Sequence, residues 1–202
     1  MVTDSSFDDL DPDPLIQLQR WLEDATQSGL REPYAISLAT VSPDGDPQVR
    51  VVLLRGIDPS GLTFYTDRGS EKGRALAAHP VAAAVFHWDP LARQVRLTGS
   101  VTELERHESA AYFSGRPRGS QVAAWASEQS RPIADRSALE RRFMAASARF
   151  EAGDVPLPSS WGGYRIRPAR YEFWQGRVDR LHDRLQYTPD GHGGWQRQRL
   201  MP

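Results

Sequence analysis

The densest group of chemically capable side chains lies near the C-terminus, in residues 174–184. This segment holds three arginines and a histidine beside Trp174, and extended backbone would place Arg180, His182 and Arg184 on one face. Cations so close repel one another unless an anionic or electron-rich partner lies among them. Taken alone, the pattern is more typical of a solvated edge strand than of a binding site.

A second group lies upstream, around a proline that interrupts a helical pattern. Tyr112, Arg116 and Ser120 supply a phenol, a guanidinium and a hydroxyl, which together can hold a phosphate monoester in a fixed geometry. The alternative is a kinked helix with surface charges. Two such groups in a chain with a formal net charge of -1 favour a phosphorylated ligand.

Smaller groups offer further polar contacts, each with a structural alternative. Arg50 and Arg55 stand at the two ends of an apolar strand segment and point to opposite faces unless a bulge intervenes. The alternative is that both are solvated, as arginines at strand ends often are. Ser70 and Lys72 stand at a helix start, where they can hold a phosphate or simply cap the helix. Gln94 lies in a strand, where its amide can bind a heterocyclic ring edge, a neighbouring strand or water.

The composition excludes several classes of protein. Lys and Arg number 25 against 26 Asp and Glu, so a general nucleic-acid binder is not expected. The lack of cysteine removes disulfides and thiol catalysis, and the five histidines show no zinc-type spacing, so no metal is expected. No apolar run reaches membrane-spanning length and the acidic start is unlike a signal peptide, which predicts a soluble cytoplasmic protein without a membrane partner.

The remaining pattern predicts the elements that position these groups. We expect a mobile acidic tail over residues 1–12 and a single domain over residues 13–202. Helices are predicted over residues 14–28, 70–78, 106–127 with a break at Pro117, and 137–151. Strands are predicted over residues 35–41, 48–57, 62–66, 81–88, 94–104, 164–166, 171–174, 180–187 and 195–200. Hairpin-linked strands with helices at the ends and in one insertion predict a mainly β fold with peripheral helices, an antiparallel barrel.

Taken together, these groups make the chain resemble the pyridoxamine 5'-phosphate oxidase family. The resemblance extends from about Asp13 to the C-terminus. The order and spacing of the motifs carry the resemblance: Arg50-Val-Val-Leu-Leu-Arg, Phe64-Tyr-Thr-Asp-Arg-Gly-Ser-Glu-Lys, Arg93-Gln-Val, Arg116-Pro-Arg-Gly-Ser-Gln-Val-Ala-Ala-Trp, Ser127-Glu-Gln-Ser-Arg, Val155-Pro-Leu-Pro-Ser-Ser-Trp-Gly-Gly, Glu172-Phe-Trp-Gln-Gly and Arg180-Leu-His-Asp-Arg. The resemblance implies an FMN-binding split β-barrel that forms a homodimer, with two FMN sites at the subunit interface.

The resemblance also implies a role for each matching residue. FMN would contact Arg50, Val51, Val52, Leu53, Leu54, Tyr65, Thr66, Lys72, Gln94, Gln129, Ser130, Trp174 and Arg184. The substrate would contact Arg55, Tyr112, Arg116, Ser120, Arg180, Leu181 and His182. Arg180 and His182 would be the catalytic residues, with Arg180 orienting the substrate and His182 as the better proton partner. The implied reaction is oxidation of pyridoxamine or pyridoxine 5'-phosphate to pyridoxal 5'-phosphate, with O2 as acceptor and H2O2 as product.

Three departures from the family pattern leave other functions open. Arg55 stands where family members commonly have lysine, Glu71 stands where a basic residue is frequent, and no Arg-Arg-x-Tyr-like segment precedes Asp11. One alternative is an oxidase of the same fold that acts on another small aromatic, such as a phenazine. Others are a non-catalytic FMN-binding protein and a carrier of phosphorylated vitamin B6, which would hold no flavin.

Overall fold

The computed structural model describes residues 7–202. The helices of this part of the chain are α1 (Pro14–Gln27), α2 (Glu71–Ala78), α3 (Arg106–Ser114), α4 (Arg118–Ala126) and α5 (Arg136–Arg149). The strands are β1 (Ala35–Val41), β2 (Pro47–Asp58), β3 (Gly61–Asp67), β4 (Val81–Trp88), β5 (Arg93–Glu103), β6 (Trp161–Gln175), β7 (Asp183–Pro189) and β8 (Trp195–Arg199). None of the described helices is both long enough and apolar enough to cross a membrane.

The strands form one antiparallel sheet that closes on itself. Their order is β3-β2-β1-β4-β5-β6-β7-β8, and an additional pairing of β3 with β6 closes the first six into a barrel. β7 and β8 extend the sheet beyond β6. This closed antiparallel barrel, with helices around it, confirms the predicted fold class.

Apolar side chains from alternate strand positions fill the barrel, and α1 packs against this main core. Asp13 caps α1 by accepting a hydrogen bond from the Leu15 N–H at 2.8 Å, as the Asp-Pro pair predicts. The helix then buries Leu18 and Trp21, and the Trp21 ring meets Phe173 of β6 edge-on with centroids 5.1 Å apart. A second, smaller apolar cluster, which we call the side core, lies under α3–α5 and contains Phe113, Val122, Ala126, Ala146, Phe150, Val155 and Trp161.

β6 is one continuous strand of 15 residues, whereas the sequence predicts two short strands separated around Pro168. A proline removes one ladder hydrogen bond, so the sequence pattern breaks there. The barrel accommodates it at an irregularity in the β5–β6 register, where Gly99 lies opposite Pro168. A Cβ on Gly99 would lie 2.0 Å from the Arg167 carbonyl oxygen, so this close approach requires glycine.

The N-terminal segment differs from the mobile tail predicted over residues 1–12. Residues 1–6 lie outside the described residues, but residues 7–12 pack on the barrel. Phe7 and Leu10 are buried in the main core, and the Tyr187 hydroxyl donates a hydrogen bond to the Asp11 carbonyl at 2.8 Å. The acidic residues around Phe7 and Leu10 obscure these two apolar anchors in a composition-based interpretation.

Candidate functional site

A cavity of about 810 Å³ opens between β2, β3 and the α3–α4 junction, a size that suits a cofactor with a substrate. We call it the anion pocket because arginine and lysine side chains line it. It gathers twelve of the residues singled out from the sequence: Arg50, Val51, Val52, Leu53, Arg55, Tyr65, Thr66, Lys72, Tyr112, Arg116, Ser120 and Gln129.

Arg50 and Arg55 of β2 line the same cavity, and β2 has a bulge at Arg55. Leu54 pairs with Phe64 of β3, but the next pairing joins Gly56 to Thr63, so Arg55 is an extra residue in the ladder. Simple alternation would have sent the two arginines to opposite faces, yet both line this cavity, as do residues 51–53 between them. Leu54 itself is buried in the main core at 2% exposure.

One end of the anion pocket is built around Lys72, which is buried at 8% exposure. Its Nζ donates to Gln129 Oε1 at 2.6 Å and to Thr66 Oγ1 at 3.1 Å. Burial lowers the pKa of Lys72, and the positive charge of Arg50 lowers it further. Burial likewise lowers the pKa of Arg50, whose guanidinium donates to Thr40 Oγ1 at 2.7 Å. This pair of like charges favours a bound anion.

The other end of the anion pocket is built around Arg116, between α3 and α4. Burial lowers the pKa of Arg116, and the nearby charge of Arg55 adds to the effect. The Arg116 Nη1 atom is buried and has no hydrogen-bond partner among the described residues. A buried donor left unpaired is costly, so an anionic acceptor bound here would be favoured strongly. Ser120 also lines the cavity.

Stacked aromatic rings form a wall between β3 and α3. The Tyr65 and Tyr112 rings are parallel within 5° with centroids 3.9 Å apart, and Trp161 continues the stack 5.5 Å from Tyr65. Burial raises the pKa of Tyr65. Trp161 belongs to the side core and also lines the anion pocket. The Trp-Gly-Gly motif is the sequence feature that marks this wall. Glycine is needed at position 163, because a Cβ there would lie 2.7 Å from the Tyr65 ring.

A second set of candidate residues lies away from this cavity, on β5, β6 and β7. Gln94 pairs with Trp174, and Trp174 pairs with Arg184, so the three lie side by side across the sheet. Their neighbours Val95 and Phe173 are fully buried, which places the three side chains on the outer face of the barrel. The His182 ring lies against Trp174 with ring centroids 4.7 Å apart and the planes tilted by 44°. We call Gln94, Trp174, Arg184, His182 and Arg180 the outer row.

Glu172 holds Arg184 in the outer row. This carboxylate is 8% exposed, and its Oε1 accepts hydrogen bonds from Arg184 Nε and Nη2, both at 2.9 Å. Its Oε2 lies 3.5 Å from Arg96 Nη1. The remaining Arg184 nitrogen donates to the Met201 carbonyl at 3.0 Å. In the sequence Glu172 is recognisable only as part of a motif, because Arg184, the partner that gives it a role, lies twelve residues further along the chain.

Arg180 lies in the loop between β6 and β7, so the prediction of an extended segment over residues 180–187 is wrong at its start. Gln175 already pairs with Asp183, so the chain must reverse within seven residues. Asp179 and Arg180 adopt left-handed backbone, with φ of 55° and 61°, a strain that concentrates at functional sites. The alternation that grouped Arg180 with His182 and Arg184 therefore does not apply. Leu181 in the same loop is 70% exposed.

A backbone hydrogen bond in this loop also selects the tautomer of the neutral His182 ring. The Arg177 backbone N–H donates to His182 Nδ1 at 3.1 Å, so in the neutral ring the proton lies on Nε2. Ser130, beside Gln129, also has left-handed backbone, with φ of 68°, and its hydroxyl accepts a hydrogen bond from the Glu71 N–H at 3.3 Å. Within the described chain, no outer-row side chain lines the anion pocket.

Two models of known protein families match successive parts of the chain. Residues 22–150 match a family model described as pyridoxamine 5'-phosphate oxidase. Residues 161–202 match a model described as the pyridoxine 5'-phosphate oxidase C-terminal dimerisation region. The first match contains most of the anion pocket, and the second contains β6, β7 and β8.

Curated relatives and solved structures agree with the family models. The chain is 53% identical to a pyridoxine/pyridoxamine 5'-phosphate oxidase of Rubrobacter xylanophilus, over 96% of this chain and 89% of that protein. It is 49% identical to one of Cupriavidus metallidurans, over 100% and 95%. The solved structure of PhzG from Burkholderia lata, in complex with tetrahydrophenazine-1-carboxylic acid, superposes with a TM-score of 0.91 at 35% identity, over 98% of both chains. These matches confirm the family resemblance inferred from the motifs.

Proposed function

Because the chain belongs to the pyridoxamine 5'-phosphate oxidase family of oxidoreductases, we propose that it oxidises pyridoxamine or pyridoxine 5'-phosphate to pyridoxal 5'-phosphate with FMN and O2. The observation that carries the proposal is the pairing of like charges in one cavity. Arg50 with Lys72 lines one end of the anion pocket, and Arg55 with Arg116 lines the other. Two anion sites in one pocket suit a phosphorylated cofactor beside a phosphorylated substrate.

The residues at the Lys72 end fit the phosphate of FMN. Lys72 and Arg50 supply charge, and Thr66 and Gln129 already hold the lysine ammonium in place. Family membership supports FMN as the cofactor. When bound, FMN would supply the two-electron oxidation at the substrate C4' carbon and the transfer of those electrons to O2, giving H2O2. The protein supplies orientation and charge around that chemistry.

The Arg116 end would hold the substrate phosphate. The unpaired Arg116 Nη1 gains an acceptor there, and Arg55, Tyr112 and Ser120 line the same wall. Arg180 and His182 would lie against the pyridine ring. Because His182 Nδ1 already accepts from the backbone, the neutral ring offers its Nε2–H as a hydrogen-bond donor, and we assign His182 that orienting role rather than the role of proton acceptor.

The outer row would complete the anion pocket of a second copy of the chain. The match of residues 161–202 to a dimerisation region supports a homodimer, and this region carries Trp174, His182 and Arg184. The outer row lies on the outer face of the barrel, where Gln94, Trp174, His182 and Arg184 are partly buried and Arg180 is exposed, and it lies away from the cavity of its own chain. We propose a homodimer with two FMN sites, each built from the anion pocket of one protomer and the outer row of the other. The cytoplasmic location remains a prediction from the sequence.

A second candidate is an oxidase that acts on a phenazine precursor. The similarity to PhzG over 98% of both chains favours it, and the tetrahydrophenazine-1-carboxylic acid in that structure also carries an acidic group. The two like-charge pairs favour the phosphorylated substrate, because a phosphate dianion uses both Arg55 and Arg116 more fully than a single carboxylate. A non-catalytic FMN-binding protein would need neither of these arginines.

The test is peroxide release by the FMN-loaded protein. We expect turnover of pyridoxamine 5'-phosphate, and at least hundredfold lower kcat/KM for pyridoxamine, because the phosphate is the group that Arg55 and Arg116 would bind. Tetrahydrophenazine-1-carboxylate is the third substrate, and preferential turnover of it would support the second candidate. A yellow, folded protein that oxidises none of the three would contradict the proposal and favour the non-catalytic alternative.

A further inference from the structure

We propose that Trp161 is a positioning residue: its ring holds the Arg116 guanidinium in place for an anion and thereby sets the preference for phosphorylated ligands. The inference rests on the proposed function, since it assigns to Arg116 the substrate phosphate. It adds a residue to that site for which neither the motifs nor the comparisons give a role.

The Trp161 ring is held rigidly. Trp161 is the first residue of β6 and pairs with Asp67 of β3, where the barrel closes. Its ring is 7% exposed, meets Phe113 edge-on with centroids 5.1 Å apart, and lies parallel to both Tyr65 and Tyr112 within 5°. Three aromatic neighbours on two elements therefore fix its plane.

Arg116, in contrast, has few other restraints. Its guanidinium carbon lies 4.7 Å from the centroid of the Trp161 ring and 5.7 Å from that of Phe113. No carboxylate within residues 7–202 pairs with it, and its Nη1 has no hydrogen-bond partner there. An arginine with this many rotatable bonds would otherwise sample many positions, so the aromatic surface is what limits it.

The contact solves a particular electrostatic problem. A carboxylate could fix Arg116 equally well, but it would neutralise the charge that an incoming phosphate needs. An aromatic face orients the cation through its quadrupole and leaves the guanidinium N–H groups free for the anion. Burial and Arg55 already lower the pKa of Arg116, so the site is arranged to gain from a dianion.

The test compares Trp161→Leu and Trp161→Phe with wild type, all as FMN-loaded protein. Binding of pyridoxal 5'-phosphate, of pyridoxal and of inorganic phosphate is followed by the change in flavin absorbance. We expect about tenfold weaker binding of pyridoxal 5'-phosphate for the leucine variant and about threefold for phenylalanine, within the range for desolvated cation–π contacts. Pyridoxal binding and FMN retention should change less than twofold.

Trp125 provides a matched control. Arg149 lies over its ring at the same distance, 4.7 Å, and Trp125 packs against the same side core but lines a different cavity. Trp125→Leu should therefore lower thermal stability without changing the preference for phosphorylated ligands. If Trp161→Leu does not fold, Trp161→Phe, which retains a ring, decides the matter.

Equal losses for pyridoxal and pyridoxal 5'-phosphate would show that Trp161 only packs, and unchanged phosphate binding would show that Arg116 is held by something else. Either result would overturn the inference while leaving wild-type turnover, and thus the proposed function, intact. A third outcome would overturn the proposed function alone. In that outcome the Trp161 variants bind inorganic phosphate more weakly than wild type, but wild type oxidises neither pyridoxamine nor pyridoxine 5'-phosphate.

Discussion

The anion pocket and the outer row both carry arginines, but they treat the charge of these arginines in different ways. In the anion pocket, Lys72 and Arg116 each have another cation nearby, and burial lowers the pKa of both. In the outer row, Arg184 is held by the buried carboxylate of Glu172. The first arrangement leaves positive charge that a bound anion would neutralise. The second fixes an arginine side chain whose charge is already neutralised by a carboxylate.

This difference indicates separate tasks for the two regions. Cations without carboxylate partners suit the phosphates of a cofactor and a substrate, which supply the missing charge. A paired arginine beside an aromatic ring and a histidine suits the orientation of a ring system that carries little charge. Variants in the two regions should therefore fail in different assays.

Replacing Arg180, at the loop end of the outer row, should give the largest effect. We expect Arg180→Ala to lower kcat/KM for pyridoxamine 5'-phosphate by roughly 10²–10³-fold, the range for removing a preorganised charged group from an active site. FMN should stay bound, since Arg180 is not assigned to its phosphate. Val178→Ala, in the same exposed loop, is the control and should retain turnover. Loss of the yellow colour in Arg180→Ala would contradict the division of tasks.

The opposite failure is expected at the buried end of the anion pocket. Lys72→Met keeps most of the side-chain volume and removes the charge, and we expect FMN to bind about 10–100-fold more weakly, as for the loss of a charged hydrogen bond. Flavin fluorescence on titration of the apoprotein measures this. Arg74→Ala, two residues further along α2 and exposed, should change the dissociation constant less than twofold. An unchanged FMN affinity for Lys72→Met would remove Lys72 from the cofactor site.

Glu172→Gln tests whether the outer row depends on its buried ion pair. Glutamine keeps the shape but leaves Arg184 without a countercharge, so the free energy of unfolding should fall by about 2 kcal/mol. Thermal and urea denaturation measure the loss. Glu103→Gln is the matched control, because Glu103 pairs with Arg68 at 3.1 Å while 49% exposed, and exposed pairs contribute little. Equal losses in the two variants would show that Arg184 does not rely on Glu172.

The smallest effect is expected at the rim of the anion pocket. Glu71 is exposed at the first turn of α2, and its negative charge acts on both Arg50 and Lys72. Glu71→Gln should tighten FMN binding about two- to threefold at low salt, because a carboxylate near the site repels a phosphate. The gain should disappear at high ionic strength, where exposed charges are screened. Weaker binding by the variant would mean that Glu71 supports the cation pair instead of opposing the anion.

Local chemistry was sufficient for much of the fold. The Asp13-Pro14 pair predicted the start of α1, and alternation predicted β1 and β4 with the bounds that the structure has. These features depend on caps, turns and a side-chain period of two, all of which act within a few residues. The family motifs likewise pointed to the residues that line the anion pocket, although the sequence contains no signal for how they meet.

The sequence by itself therefore determined the barrel, the family and the two sets of candidate residues. Only the tertiary structure decided that β2 has a bulge at Arg55 and that Arg55 and Arg50 line one cavity, that Arg180 lies in a left-handed loop, and that Trp161 lies under Arg116. The physical reason is that bulges, strand reversals and ring contacts depend on partners far along the chain. A period of two or of 3.6 residues describes a single element, and it carries no information about which element packs beside it.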